Sequence, residues 1–279
     1  MSVWFITGAS RGFGAEITEK ALAAGHHVVA TAREPEVIDR RIRSRRLLTV
    51  AVDVTSEADV EAAVNTAVAR FGRLDVVVNN AGRGLLGAVE EATDSAVRAV
   101  YDTNVFGSLN VIRAVLPTLR VQRGGHIVNI SSVGGFVGSA GWGIYNSTKF
   151  AVEGFSEALC KELAPLGISV TIVEPGYFRT DFLDGSSLHS APDVIDDYGS
   201  TAGAMRATAA EVNHVQPGDP ARAAAAIVAV GSSAEPPLRL QLGQDAFDAV
   251  AAKIAAVAGE QRTWQSMSTS TGFYDVSAR

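Results

Sequence analysis

Val3-Trp4-Phe5-Ile6-Thr7-Gly8-Ala9-Ser10-Arg11-Gly12-Phe13-Gly14 opens the chain, and the reading of this stretch decides the fold. Its first residues form a short apolar run of the kind a buried strand takes, and from Phe13 the spacing turns helical. The glycines therefore fall in a strand-to-helix turn. Glycine meets three demands there: a tight turn, close approach of backbone to a pyrophosphate, and close packing of helix on strand. The helix N-terminus that follows offers free N–H groups and the positive end of its dipole to phosphates. Gly8, Ser10, Arg11, Gly12, Phe13 and Gly14 are thus expected to hold a dinucleotide. A rival reading exists. Gly8-Ala9-Ser10-Arg11-Gly12 also fits the G-x-S-x-G elbow of serine hydrolases, with Ser10 as nucleophile and His189 or His214 downstream. That reading puts the elbow on the first strand and leaves Gly14 without a role.

Outward from this turn, short β-rich runs alternate with longer helical patterns. Strands are expected at about 3–7, 27–32, 47–52, 75–79, 126–131, 168–174 and 238–242, and helices at about 13–24, 56–70, 94–121, 146–164 and 219–231. Such alternation predicts an α/β fold, a doubly wound, Rossmann-type, seven-stranded parallel sheet with helices on both faces. No repeat or linker divides the chain, so residues 1–279 read as a single domain. Two segments break the rhythm. Residues 178–217 have weak periodicity and are expected to form a substrate lid. The polar, Ser/Thr-rich stretch 259–279 is expected to be an irregular tail, frayed or folded against a neighbouring subunit.

Composition narrows the class. The 279 residues are 47% hydrophobic and 19% charged, which is ordinary for a globular protein. A net charge of −6 argues against a nucleic-acid partner. The basic run Asp39-Arg40-Arg41-Ile42-Arg43-Ser44-Arg45-Arg46 reads as a solvated face or loop, the other reading being attraction of an anionic cofactor. No basic leader precedes the first strand, and the Ala-rich run from Ala223 stops at Gly231, so a cytoplasmic protein without a membrane partner is expected. The single cysteine, Cys160, excludes an intrachain disulfide and sits in an apolar, helix-like setting that suggests a packed thiol. No His/Cys cluster has ligand spacing, so no metal is expected.

The end of the second strand addresses the choice of cofactor. An NAD site wants a carboxylate there for the adenosine ribose, whereas a 2′-phosphate would be repelled by one. Ala32 and Arg33 stand at that point, and arginine pairs with phosphate through charge-assisted bonds. Arg11 is in reach of the same phosphate, while Glu34 dissents. NADP(H) is favoured over NAD(H).

Tyr145-Asn146-Ser147-Thr148-Lys149 places a phenol and an ammonium at i and i+4, hence on one helix face. A phenol with its ordinary pKa of about 10 is a poor acid–base at neutral pH, and a nearby ammonium lowers that value. Taken alone the pair is as well explained by one packed tyrosine and one surface lysine. It does not stand alone. Thr7-Gly8 with Gly12 and Gly14, Asn79-Asn80-Ala81-Gly82, Asn104, Ser132, Tyr145, Lys149 and Pro175-Gly176 follow one another in this order. Together they resemble the short-chain dehydrogenase/reductase family in its shorter form. The resemblance covers about residues 3–180 well and Asp219 to Gly243 more loosely.

The resemblance implies a role for each matching residue. Tyr145 would give its proton to a carbonyl oxygen in reduction and take it back in oxidation. Lys149 would lower the tyrosine pKa and bind the nicotinamide ribose. Ser132 would hydrogen-bond the substrate oxygen, and Asn104 would hold a relay water. Asn79 would brace the central strand, with Asn80, Ala81 and Gly82 on the adenosine side, where Asp53 and Val54 would meet the adenine. Pro175, Gly176 and Thr180 would hold the carboxamide. The family pattern at Ala32-Arg33 is also that of NADP. Plainer explanations exist for several of these taken singly: Asn104 as a helix-surface amide, Asp53 as an N-cap with Thr55 or Ser56, and Asn79 and Asn80 as turn formers.

For the substrate, the glycine-rich run from Val133 to Ile144 carries Phe136 and Trp142, and Tyr177 and Phe178 follow the sixth strand. These four aromatics suggest an apolar pocket wall and a moderately large ketone or aldehyde, of a cyclic or steroid-like kind among others; a place in the core is the plainer explanation for Phe136 and Trp142. The family usually pairs through helices placed here near 94–121 and 146–164, so a homodimer or homotetramer is expected. A catalytically silent cofactor-binding sensor or scaffold is the alternative to an enzyme, and it would be expected to lose part of the tetrad Asn104, Ser132, Tyr145 and Lys149.

Overall fold

The computed structural model describes residues 1–273. β1 (Val3–Ile6) leads through the glycine turn into α1 (Gly12–Ala23), then β2 (His27–Ala32), a short α2 (Glu36–Arg41), β3 (Leu47–Ala51), α3 (Glu57–Phe71) and β4 (Val76–Asn79). A three-residue β5 (Gly84–Leu86) precedes α4 (Asp94–Tyr101), α5 (Gly107–Gln122), β6 (Gly125–Ile130), α6 (Gly143–Leu163) and β7 (Ile168–Pro175). The last part of the chain holds β8 (Leu188–Ser190), α7 (Ala204–Val212), α8 (Pro220–Gly231), β9 (Arg239–Leu242) and α9 (Gln244–Thr269).

Seven strands form one parallel sheet in the order β3-β2-β1-β4-β6-β7-β9. The order reverses between β1 and β4, and the crevice beyond the carboxyl ends of strands at such a switch is where open α/β sheets bind ligands. The period-2 alternation of strands divides the core into two layers. Val3, Phe5, Val29, Val77, Ile127 and Val170 face α3, α5 and the end of α6. Trp4, Ile6, Val28, Val78, Val128 and Val173 face α1 and α8. Trp4, Phe5 and Ile6 have no exposed surface, and full burial of such side chains stabilises by about 1.5–3 kcal/mol each. Cys160 packs, partly buried, against the first layer.

Local signals set several helix ends. Ser56 accepts from the Asp59 N–H at the start of α3, and Gly72, with φ 78°, closes it in the left-handed region. Asp219 caps α8, with Pro220 at its first turn. The basic run from Asp39 is partly α2 and partly loop: Arg41 pairs with Glu16 and Glu19 of α1, and Arg46 donates to the Leu22 carbonyl.

Two expectations need correction. The helix expected over 94–121 is interrupted by a π turn at Asp102–Phe106 between α4 and α5. The segment 178–217, expected to form a lid, contains α7 and β8, and β8 pairs in parallel with β5 as a separate two-stranded sheet. The tail expected to be irregular from about 259 continues α9 to Thr269; residues 274–279 of that stretch lie outside the described residues. No described helix is long and apolar enough to cross a membrane.

Candidate active site

One cavity of about 890 Å³ opens at the switch between β1 and β4. Its first wall is the glycine turn. Gly8 has φ +64°, a conformation that L side chains rarely adopt. At Gly14 an added Cβ would overlap the Gly8 carbonyl oxygen and stand 2.6 Å from Asn80 Nδ2. Gly14 is therefore not on the cavity surface; it lets α1 sit against the turn. Thr7 Oγ1 accepts from the N–H groups of Asn80 and Ala81, both at 3.0 Å, and Asn80 Nδ2 donates to the carbonyls of Thr7 and Gly8. Asn79 donates to Asn129 on the neighbouring strand, buried between β4 and β6. The asparagines thus lock the glycine turn to the sheet rather than forming a free turn of their own.

The N-terminus of α1 is uncapped by any side chain and its first turn carries no acidic residue. Gly12 and Phe13 of its first turn line the cavity, which fits a pyrophosphate. Arg33, Asp53 and Val54 line the far end, while Glu34 is not among the lining residues. Asp53 Oδ1 accepts from Thr55 N (2.9 Å) and Thr55 Oγ1 (2.8 Å). These bonds and the Arg33 charge hold its carboxyl below the ordinary range. Ser56, not Asp53, caps α3. Ser10 and Arg11 line the cavity too, and Arg11 donates to Ser186 O and Ser187 Oγ, both at 2.8 Å. Among the described residues no histidine hydrogen-bonds Ser10. His214 instead pairs with Asp184 at 3.0 Å.

At the opposite end lie Ser132, Tyr145, Lys149, Pro175, Gly176 and Thr180. Tyr145 and Lys149 follow one another on α6 and are both buried. Burial pushes the Tyr145 phenol well above its ordinary value, with the adjacent Ser132 hydroxyl pulling the other way. Lys149 Nζ donates to the Ile130 carbonyl at 2.8 Å and stands 5.8 Å from the centre of the Tyr145 ring. Burial pulls the Lys149 ammonium down to about 8, opposed by the Glu153 carboxylate. Asn104 does not line the cavity. The π turn carries it inward, where its amide accepts from Arg83 N (2.9 Å) and donates to Arg83 O (2.9 Å) and Thr148 Oγ1 (3.0 Å).

Of the four aromatics expected in the pocket wall, Trp142, Tyr177 and Phe178 line the cavity and Phe136 does not. The Phe136 ring instead lies 5.7 Å from the Arg239 guanidinium, so that expectation is corrected. Around Tyr145 the surroundings are apolar: Trp142 and Phe182 rings stand 5.6 and 5.4 Å away, with Leu86, Leu183, Leu188 and Met205 beyond. From the segment 178–217, Phe182, Leu183, Gly185, Ser186, Ser187, His189 and Gln216 also line the cavity.

Some residues escaped sequence reasoning. Arg83 and His189 also line the cavity. Burial and the charge of Arg33 lower the Arg83 pKa, and its Nε has no hydrogen-bond partner among the described residues. Its place directly after Asn79-Asn80-Ala81-Gly82 was the available signal. Behind Lys149, Arg239 joins Glu153 (3.0 Å), Glu157 (2.5 Å) and Glu174 (3.1 Å). This cluster unites α6, β7 and β9, and no local pattern announces it. Asp245 of α9 accepts from Tyr177 N at 2.7 Å and lines the cavity with Pro175 and Gly176.

The chain is similar to known proteins over most of its length. A family model described as short chain dehydrogenase matches residues 2–190. A protein of Bacteroides thetaiotaomicron named 3-ketodihydrosphingosine reductase is 38% identical over 239 residues, 85% of this chain and 86% of its own length. A crystal structure of a short-chain dehydrogenase from Streptomyces avermitilis superimposes with a TM-score of 0.90 at 41% identity, covering 97% of this chain and 98% of that one. The closed form of a serine dehydrogenase complexed with NADP+ gives a TM-score of 0.73 at 28% identity, covering 86% of this chain and 94% of that one.

Proposed function

The chain belongs to the short-chain dehydrogenase family and is an NAD(P)-dependent oxidoreductase, and from that premise we propose that it interconverts a ketone or aldehyde and an alcohol with NADP(H), using Tyr145 as the proton donor. One observation carries this reading: a buried phenol beside the Ser132 hydroxyl, at the apolar end of the same cavity that the glycine turn and the uncapped start of α1 enclose. The residues fit a nicotinamide dinucleotide along its whole length. Arg33 and Asp53 would take the adenosine end, Gly12 and Phe13 the pyrophosphate, and Pro175, Gly176 and Thr180 the carboxamide. When bound, the nicotinamide ring supplies or receives the hydride.

The remaining steps belong to the protein. With its pKa raised by burial, Tyr145 is protonated at rest, so a proton is at hand for the carbonyl oxygen. Ser132 and Tyr145 would donate to that oxygen as negative charge develops on it. Lys149 holds a positive charge beneath the phenol and would bind the ribose. Asn104 would hold the relay water. Its side-chain amide is committed to Arg83 and Thr148, so the water would be held at its main-chain carbonyl, which also accepts from Ser108 Oγ.

Two further features support the finer reading. The arginine of the Ala32-Arg33 step lines the cavity and the carboxylate of Glu34 does not, which favours a 2′-phosphate over a free 2′-hydroxyl. The structural relative with NADP+ bound is in keeping with that choice. Apart from Lys149, Tyr145 is surrounded by Trp142, Phe182 and Leu183, whereas Arg83 and His189 act on one another and, through Arg83, on Arg33. This supports an apolar carbonyl substrate, and a relative named for reducing 3-ketodihydrosphingosine is consistent with it. The test follows the oxidation of NADPH and NADH with a panel of cyclic, aromatic and long-chain ketones. Tyr145→Phe is expected to retain NADPH binding and lose nearly all turnover. Full activity in a folded Phe variant would overturn the mechanism.

A further inference from the structure

α9 is 26 residues long, about 39 Å at 1.5 Å per residue. Only its first two turns engage the domain: Ala246 and Val250 are buried, and Asp245 and Ala249 reach the cavity. From Ala251 to Phe273 every residue is exposed except Ala258 and Gly259, which are half-buried. A solitary helix of this length is marginal in water, and a glycine in its interior weakens it further. Yet Phe247, Ile254, Val257 and Trp264, all on this helix, are each between 46% and 60% exposed. With Val250 and Gln261 they recur at alternating three- and four-residue steps, the seam of a two-helix coiled coil.

We infer that α9 pairs antiparallel with α9 of a second copy of this chain, about a twofold axis between Ala255 and Ala256. The seam is self-complementary in that register. Ile254 meets the partner's Val257 and Phe247 meets the partner's Trp264, while Val250 at the base stays packed on its own domain. Twofold symmetry makes each contact twice. The flanks agree with the seam. On one side Lys253 falls beside the partner's Glu260, again twice. On the other, Ala251 falls beside the partner's Ala258, so the two backbones can approach closely. A parallel pairing would set Lys253 against alanine and Glu260 against glutamine, and would form no ion pair. The charge pattern therefore selects both a like partner and a direction. This interface is separate from the cofactor cavity and does not rest on the proposed reaction.

The test is the mass of the full chain in solution by light scattering and sedimentation equilibrium at micromolar concentration. The wild type is expected to be a dimer or a higher even oligomer, and Ile254→Glu with Trp264→Glu is expected to halve that mass. Cofactor binding serves as the folding control, since neither position lines the cavity. Lys253→Glu and Glu260→Lys singly should each raise the dissociation constant by roughly tenfold, as two ion pairs become two repulsions. The double variant should restore wild-type association. A monomeric wild type, or an unchanged mass in the Ile254/Trp264 variant, would overturn the proposal. Failure of the double charge exchange to restore what each single exchange removes would overturn the antiparallel register.

Discussion

Glu153→Gln is the most informative single perturbation. Glu153 lies one helical turn beyond Lys149, has a side chain only 7% exposed, and is joined to Arg239 at 3.0 Å. Burial raises its carboxyl from 4.5 to about 7. Because the folded protein binds this proton more tightly than the unfolded chain does, the associated stability is fully present below pH 4.5 and is lost as pH rises through 7. A shift of that size corresponds to about 3 kcal/mol, of which some 2–3 kcal/mol falls between pH 5 and pH 8. Glutamine cannot ionise, so the variant should lack this slope, while Arg239 keeps Glu157 and Glu174 as partners. Urea unfolding of both proteins at pH 5 and pH 8 measures it. Parallel stability profiles would refute the reasoning. A second readout tests the link to the site. Glu153 helps to hold Lys149 protonated, so its removal should shift the alkaline limb of kcat to lower pH, which a merely structural role would not do.

Other substitutions test the remaining parts of the site. Arg33→Asp should weaken NADPH binding by about 10- to 100-fold, the value of a charge-assisted hydrogen bond or two, with NADH affected far less; a fluorescence titration showing equal NADPH affinity would remove Arg33 from the cofactor site. Gly14→Ala forces a methyl group onto the Gly8 carbonyl and Asn80, so a loss of about 1–3 kcal/mol and impaired cofactor binding are expected; wild-type thermal stability with normal binding would mean that the turn can yield. Arg206→Ala removes the charge partner of the buried Glu91 and with it a tie between α7 and the 89–91 turn. Limited proteolysis within 178–217 should quicken and KM should rise with little change in kcat; unchanged values would contradict a lid role for that segment.

Much of this protein was legible locally. Each central strand is a run of Val, Ile and Phe bounded by turn residues, and each of the long internal helices shows a core-facing stripe. The glycine turn and the Tyr145–Lys149 pair are relations over six residues or fewer, so they read directly from the chain, whereas the cap of α3 fell to Ser56 and not to Asp53. β5 and β8 were not legible, because three residues carry no period and each is a strand only through the other. α9 was missed because its apolar positions face solvent and no core-directed stripe marks it. Phe136 was misplaced because a loop aromatic gives no sign of which side of the loop it faces.

The amino-acid sequence by itself determined the doubly wound sheet, the glycine turn and the order of Ser132, Tyr145 and Lys149, since short-range periodicity and backbone sterics govern these. Tertiary structure alone decided which charges meet. It brought Arg83 within reach of Arg33, gathered Glu153, Glu157 and Glu174 around Arg239, and turned Asn104 inward through a π turn. The reason is physical: burial and the proximity of residues far apart in the chain set a side chain's desolvation and its charged neighbours, and neither exists until the sheet has closed over them.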